Sequence, residues 1–153
     1  MPDPHAEGCQ YAPESEGTGE PGNVTTALDP AAAWVSGALV SAPGDVSRFF
    51  GGLMGGELVS EDTIEQMKET VAGEGSPSGP GTKSAGLGIF SYELPCGEVW
   101  SHTGQFPGYQ AFGAATPDGR VRLAMMTNAT EISEQANEAL IEAQGLAVCW
   151  ALA

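Results

Sequence analysis

"SHTGQFPGYQ", residues 101–110, sets a histidine, a threonine and two glycines between two apolar, strand-like segments. "EVW" precedes it, "AFGAAT" follows it, and Pro107-Gly108 in its middle is a turn signal. The stretch therefore reads as the end of one strand, a tight turn and an antiparallel return strand. A glycine near a strand end, here Gly104, lets another molecule lie close against the backbone. The neighbouring imidazole of His102 and hydroxyl of Thr103 could then bond a carboxylate or a carbonyl. Taken alone His102-Thr103-Gly104 is a weak signal, and a solvated surface histidine explains it better.

Working outward, the segments "LGIFSYEL", "EVWSHTG", "YQAFGAAT" and "VRLAMMTN" are strand-like, the last entered through the turn Pro117-Asp118-Gly119. Ser133 to Ala153 has Ala136, Leu140, Ile141, Ala143, Leu146, Ala147 and Trp150 at helical spacing. Upstream, Pro43 suits a first helical position, with Val46, Phe49, Phe50, Leu53 and Met54 on one face and Gly55-Gly56 as the stop. Ser60 is an N-cap for "EDTIEQMKETV", whose first residues are acidic as a helix N-terminus prefers. The composition of residues 72–86 is that of a mobile loop, and small residues around Gly37 predict tight backbone packing. The expected class is α+β: an antiparallel meander with the C-terminal helix laid across one face and a helical portion before it. Residues 1–33 carry turn-formers without apolar periodicity and read as an irregular surface segment, leaving residues 34–153 as the ordered part.

A chain of 153 residues fits one domain, long enough to bury about two-thirds of its unfolded surface. Its 22 glycines and 11 prolines point to long loops around a modest ordered part. Twenty acidic against 5 basic side chains give a net charge of −15. A polyanion with no Lys/Arg patch is repelled by phosphates, so nucleic-acid binding is not expected. No apolar run reaches membrane-spanning length, and "MPDPHAEGCQ" has neither the basic flank nor the apolar stretch of a signal peptide. Of the three cysteines, Cys96 and Cys149 sit in or beside apolar segments and Cys9 lies in a polar region. Spacing alone allows a Cys96–Cys149 pair or three reduced thiols equally well. A metal site from Asp3, His5 and His102 fails because no ligand spacing connects the two histidines. No cofactor is implied. Trp34, Trp100 and Trp150 are expected in core or interface packing.

The order of these features carries more than any one of them. "HTGQFPGY" followed by a strand, "PDGR" and a strand ending in "TN" resembles the serine D-alanyl-D-alanine carboxypeptidases and class C-like β-lactamases, the penicillin-recognising serine hydrolases. "MPDPHAEGCQYAP" is similar to a "PDPHARGY" segment of the exported carboxypeptidases, and "VSGALVSAPGDVSRFFGGLMGGELVS" to their helix region. "AGLGIF" matches the strand before the third motif, and "LPCGEVWSHTG" with the late "AVCW" places two cysteines where those enzymes carry a disulfide. The resemblance covers residues 1 to about 150 in order. It implies a partial β-lactamase/transpeptidase-like fold, a Cys96–Cys149 disulfide with Cys9 free, and an extracytoplasmic location. It also implies that His102, Thr103 and Gly104 bind substrate as the family's third motif, with histidine in place of lysine. The backbone N–H of Gln105 would be an oxyanion donor, useful where charge develops on the acyl oxygen. Two positions depart from the pattern: Ser101 replaces a glycine before the histidine, which is expected to crowd the strand, and Phe90 stands where one carboxypeptidase type has a carboxylate-binding arginine.

The family's nucleophile is a serine with a lysine three residues on, spaced to share one helical face. The two lysines here, Lys68 and Lys83, follow Glu65 and Pro80 at that spacing, so the motif is absent. The Tyr- or Ser-x-Asn motif is absent too: Asn23, Asn128 and Asn137 follow Pro21, Met126 and Gln135. In the family both lie before the "PDPHARGY" segment. The chain therefore looks like the C-terminal half of a serine hydrolase, expected to be inactive alone and to meet a D-Ala-D-Ala peptide or a β-lactam only when completed. The alternative is a non-catalytic module that binds peptidoglycan stems or a protein. "LGIF", "VW" and "LAMM" are apolar without alternation, so both faces expect cover, which favours the half-enzyme.

Overall fold

The computed structural model describes residues 3–27, 29–73 and 79–153. Its centre is a six-stranded sheet of β3 (Val71–Ala72), β4 (Thr82–Ala85), β5 (Phe90–Leu94), β6 (Gly97–Phe106), β7 (Tyr109–Ala115) and β8 (Arg122–Thr127), in that spatial order. Every neighbouring pair is antiparallel. The fold is thus the α+β meander that the residue patterns predict, with both faces covered.

Helices α1 (Pro43–Met54) and α2 (Glu61–Met67) cover one face. Phe50, Leu53, Met54 and Ile64 pack there against Ile89, Trp100 and Ala115. α1 starts at Pro43, carries Asp45 in its first turn, and stops at Gly55-Gly56, where Gly56 has a φ of +77° that favours glycine. Ser60 caps α2 by accepting from the Thr63 amide at 3.3 Å. The second face carries α3 (Glu134–Leu152), capped by Ser133 accepting from the Ala136 amide at 3.2 Å. Val148 of α3 is fully buried with Tyr92, Val99, Phe112 and Ala114, and Leu152 packs at the edge of that cluster. A disulfide joins Cys96, beside the β5–β6 turn, to Cys149 on α3, Cα to Cα 5.4 Å; Cys9 is free.

Several expectations need correction. α2 ends at Met67 rather than near Val71, because the Leu87 amide takes the Met67 carbonyl at 3.0 Å and Val71 pairs with Ala85 instead. The stretch expected as a loop, residues 72–86, contains β4, although its "TKSA" sequence has no apolar alternation; residues 74–78 of that stretch lie outside the described residues. The described residues among the first 33 are mostly irregular, yet β1 (Cys9–Gln10) pairs with β2 (Gly22–Asn23) and, in parallel, with β9 (Ala129–Thr130). Around Gly37 there is no tight packing: Trp34 is 77% exposed, and Val35 and Leu39 are exposed too. Of the tryptophans only Trp100 is in the core, while Trp34 and Trp150 face solvent. No helix of the described residues is long and apolar enough to cross a membrane.

Candidate functional site

β6 is ten residues long, but β5 pairs only with its first five, from Leu94 opposite Gly97 to Phe90 opposite Ser101. β7 pairs with β6 through Phe106 on the other side. From His102 to Phe106, β6 therefore has a strand on one side and no strand on the other among the described residues. Such an edge presents unsatisfied N–H and C=O groups in a row, and an extended chain can pair with it.

His102, Thr103, Gly104 and Gln105 all fall on this free edge. The exposed His102 ring tilts against Phe90, centroids 5.3 Å apart, and Lys83 Nζ stands 5.5 Å over the Phe90 ring. His102 Nδ1 is 2.5 Å from the Thr103 carbonyl oxygen. A carbonyl only accepts, so in this contact Nδ1 is the donor. At Gly104, a Cβ would have Ala111 Cβ at 3.8 Å as its nearest neighbour, an ordinary contact. The chain's own packing does not require glycine there, and the space over it is open. Ser101 does not crowd this edge: it is fully buried, and strand alternation puts it on the α3 side with Val99, away from His102.

Between the free edge and α3 lies a cavity of about 470 Å³, bordered by Phe90, His102, Thr103, Gln105, Asn137 and Gln144. Gln144 is 8% exposed and its Oε1 has no hydrogen-bond partner among the described residues, as is true of Thr127 Oγ1, which borders the same cavity from β8. The residue patterns missed Gln144; a single glutamine in an apolar helix repeat was the available signal. The far end of the edge is closed by the N-terminal segment. Gly108 donates to the buried Thr130 Oγ1 at 2.8 Å, and Tyr109 donates to the Ala6 carbonyl at 2.8 Å. The Ala6 carbonyl of the "PHAEG" stretch is thus held at Tyr109, beyond the turn that follows the "HTG" stretch.

Neither lysine stands three residues after a serine. Lys68 Nζ is 3.4 Å from Glu65 Oε1, the carboxylate at the spacing where a serine would be needed. Lys83 follows Pro80 at that spacing. His5 Nδ1 lies 3.0 Å from Asp3 Oδ1, and among the described residues no three His, Cys, Asp or Glu side chains are gathered as a metal site.

A six-stranded antiparallel sheet between helices, with a histidine-threonine-glycine strand left open on one edge, places the chain in a defined class. The Beta-lactamase family model matches residues 2–146, and the chain belongs to that family. Among solved structures it is similar to a D-stereospecific amidohydrolase from Streptomyces sp., 29% identical with a TM-score of 0.74, over 94% of this chain and 40% of that one. It also resembles a D-amino acid amidase from Ochrobactrum anthropi SV3. In the complex with L-phenylalanine amide the identity is 20% and the TM-score 0.68, covering 88% of this chain and 40% of that one. In the complex with L-phenylalanine the figures are 18% and 0.71, covering 94% and 44%. The chain spans less than half the length of these structures.

Proposed function

We propose that this chain forms the substrate-side wall of a serine hydrolase that cleaves amide bonds by an acyl-serine mechanism. The substrates are D-configured: a D-amino acid amide, a D-Ala-D-Ala peptide or a β-lactam. One observation carries the reading: the free β6 edge at His102–Phe106, open over Gly104 and flanked by the exposed His102 ring. An extended substrate pairs with that edge. Thr103 and His102 bind its polar end, and the Gln105 N–H receives the developing oxyanion. A polypeptide carrying the serine and its lysine completes the site, since neither motif exists in this chain. The disulfide between Cys96 and Cys149 supports an extracytoplasmic setting. Residues 34–153 constitute the C-terminal half of the hydrolase domain, and residues 1–33 are an irregular surface segment before it.

The test is a ¹⁵N-NMR titration of the chain with D-phenylalanine amide, with the L-enantiomer alongside, followed by mass spectrometry after exposure to benzylpenicillin. Shifts confined to the Thr103–Gln105 amides, stronger for the D-amide and without any covalent adduct, are expected. Absence of shifts on this edge, or an acylated product, would sink the reading.

A further inference from the structure

Leu140, Gln144, Val148 and Leu152 follow one another at intervals of four residues, so they form one row along α3. Val148 is buried in the core with Phe112, and Leu152 packs against the same cluster. Gln144 is the polar member of this row, and it is more than nine-tenths buried. Its Oε1 has no hydrogen bond among the described residues, and it borders the cavity between α3 and the free edge. A buried amide oxygen left unpaired is costly, and a leucine at the same place would avoid that cost. Thr127 Oγ1, on the β8 side of the cavity, is buried and unpaired as well. Two such oxygens on one cavity call for a guest that carries a donor.

The other lining residues describe the rest of that guest. Phe90, Phe112, Met125 and Leu140 give the cavity an apolar side with two aromatic rings. Rings pack well on rings, in offset or edge-on contact, and about 470 Å³ admits one with its substituent. Thr103, Gly104 and Gln105 border the cavity and also lie on the part of β6 that β5 leaves unpaired. A ligand anchored on that edge therefore has the cavity beside it.

We infer that the cavity takes an aromatic ring tipped with a donor, a phenol or an indole, whose O–H or N–H donates to Gln144 Oε1. Its use as a side-chain pocket rests on the reading of the β6 edge as the place where a D-amino acid amide binds. Within that reading it narrows the substrate to tyrosine-like or tryptophan-like amides over phenylalanine-like ones. Gln144 is then a specificity-determining residue, touching the substrate's side chain and not its scissile bond.

Two ligand series separate the pocket from the edge. p-Cresol, toluene and p-methylanisole carry the ring without an amide to pair with β6. D-Tyrosine amide, D-phenylalanine amide and O-methyl-D-tyrosine amide add the amide. In each series the first member alone donates from the ring, and the third keeps the oxygen without its proton. NMR titration of the chain follows the Gln144 side-chain amide and the Met125 and Leu140 methyls. p-Cresol and D-tyrosine amide should shift these signals and bind roughly tenfold more tightly than their analogues, as one well-placed hydrogen bond to a buried acceptor allows. Gln144→Leu should level both series, and since it removes an unpaired buried group it should fold at least as well. Equal affinities of p-cresol and toluene, a preference that survives Gln144→Leu, or shifts away from the cavity would each overturn the inference. D-Amides that shift the Thr103–Gln105 amides without discriminating would overturn the pocket and leave the edge standing. Discrimination by p-cresol at Gln144 with no amide bound on the edge would uphold the pocket and remove the proposed function.

Discussion

Gly113 of β7 lies directly opposite His102 of β6, and the space a side chain would need at Gly113 is filled by Phe50 and Val46 of α1. A Cβ there would stand 2.5 Å from a Phe50 ring carbon and 2.6 Å from a Val46 methyl. The glycine lets α1 press onto the sheet directly beneath the strand pair that holds His102. Phe50 is buried and has little room to yield. Gly113→Ala should therefore destabilise the fold by about 1–3 kcal/mol through overpacking. Urea denaturation followed by circular dichroism checks this, and an unchanged midpoint would show that α1 is held less tightly than the contacts state.

Gly104 sits on the same strand pair with the opposite expectation. Its neighbour Ala111 leaves ordinary space for a methyl group, and its φ is not in the left-handed region. Gly104→Ala should leave stability unchanged or raise it by about 0.4–1 kcal/mol, as glycine replacement does where the conformation allows. The added methyl projects into the open space over the edge, so binding of D-phenylalanine amide should fall roughly tenfold or more, the cost of about 1.4 kcal/mol. Thermal melts and the NMR titration read the two effects separately. A variant that binds as well as the wild type would remove the substrate from this part of the edge.

What could be read from the chain divides along the line between local and non-local causes. The cap at Ser60, the Gly55-Gly56 stop and the hairpin through Pro107-Gly108 are each decided by a few adjacent residues, and all were legible. β4 was not, because "TKSA" is made a strand only by pairing with Phe90–Glu93 across a turn. β1, β2 and β9 have two residues each and carry no periodicity to detect. For the site, the tripeptide at residues 102–104 could be singled out in the sequence. Its availability could not, since that depends on where β5 stops pairing, a matter of register between strands. The exposure of Trp34 and Trp150 was equally hidden: composition tells that tryptophan seeks cover and not which surface provides it.

The Cys96–Cys149 bridge closes a loop with a sequence separation of 53 and ties the β5–β6 turn to α3. In the chain-entropy account such a loop contributes about 4 kcal/mol. A Cys96→Ala/Cys149→Ala variant should lose stability of that order, and the wild type under reductant should match it. Urea midpoints with and without reductant check both. A loss below about 1 kcal/mol would mean that α3 is held by Val148 and Leu152 without help from the bridge.

Tyr92 offers a titration of the second core. Its side chain is fully buried among Val99, Phe112 and Val148, and its hydroxyl has no hydrogen-bond partner among the described residues. Burial pushes the phenol up from 10.0 to about 12. The folded state thus holds the proton more tightly than the unfolded chain, so the contribution is fully present below pH 10 and is lost as the pH rises towards 12. The loss amounts to about 3 kcal/mol across that window. Tyr92→Phe removes the titrating group together with an unsatisfied hydroxyl, so it should be neutral or stabilising by up to about 1 kcal/mol near pH 8 and abolish the alkaline decline. Both proteins are compared by urea denaturation in a Cys9→Ser background, because the free Cys9 thiolate would otherwise exchange with the disulfide at high pH. If the phenylalanine variant declines between pH 10 and 12 as steeply as the parent, the alkaline instability belongs to other groups and Tyr92 is wetter than its packing indicates.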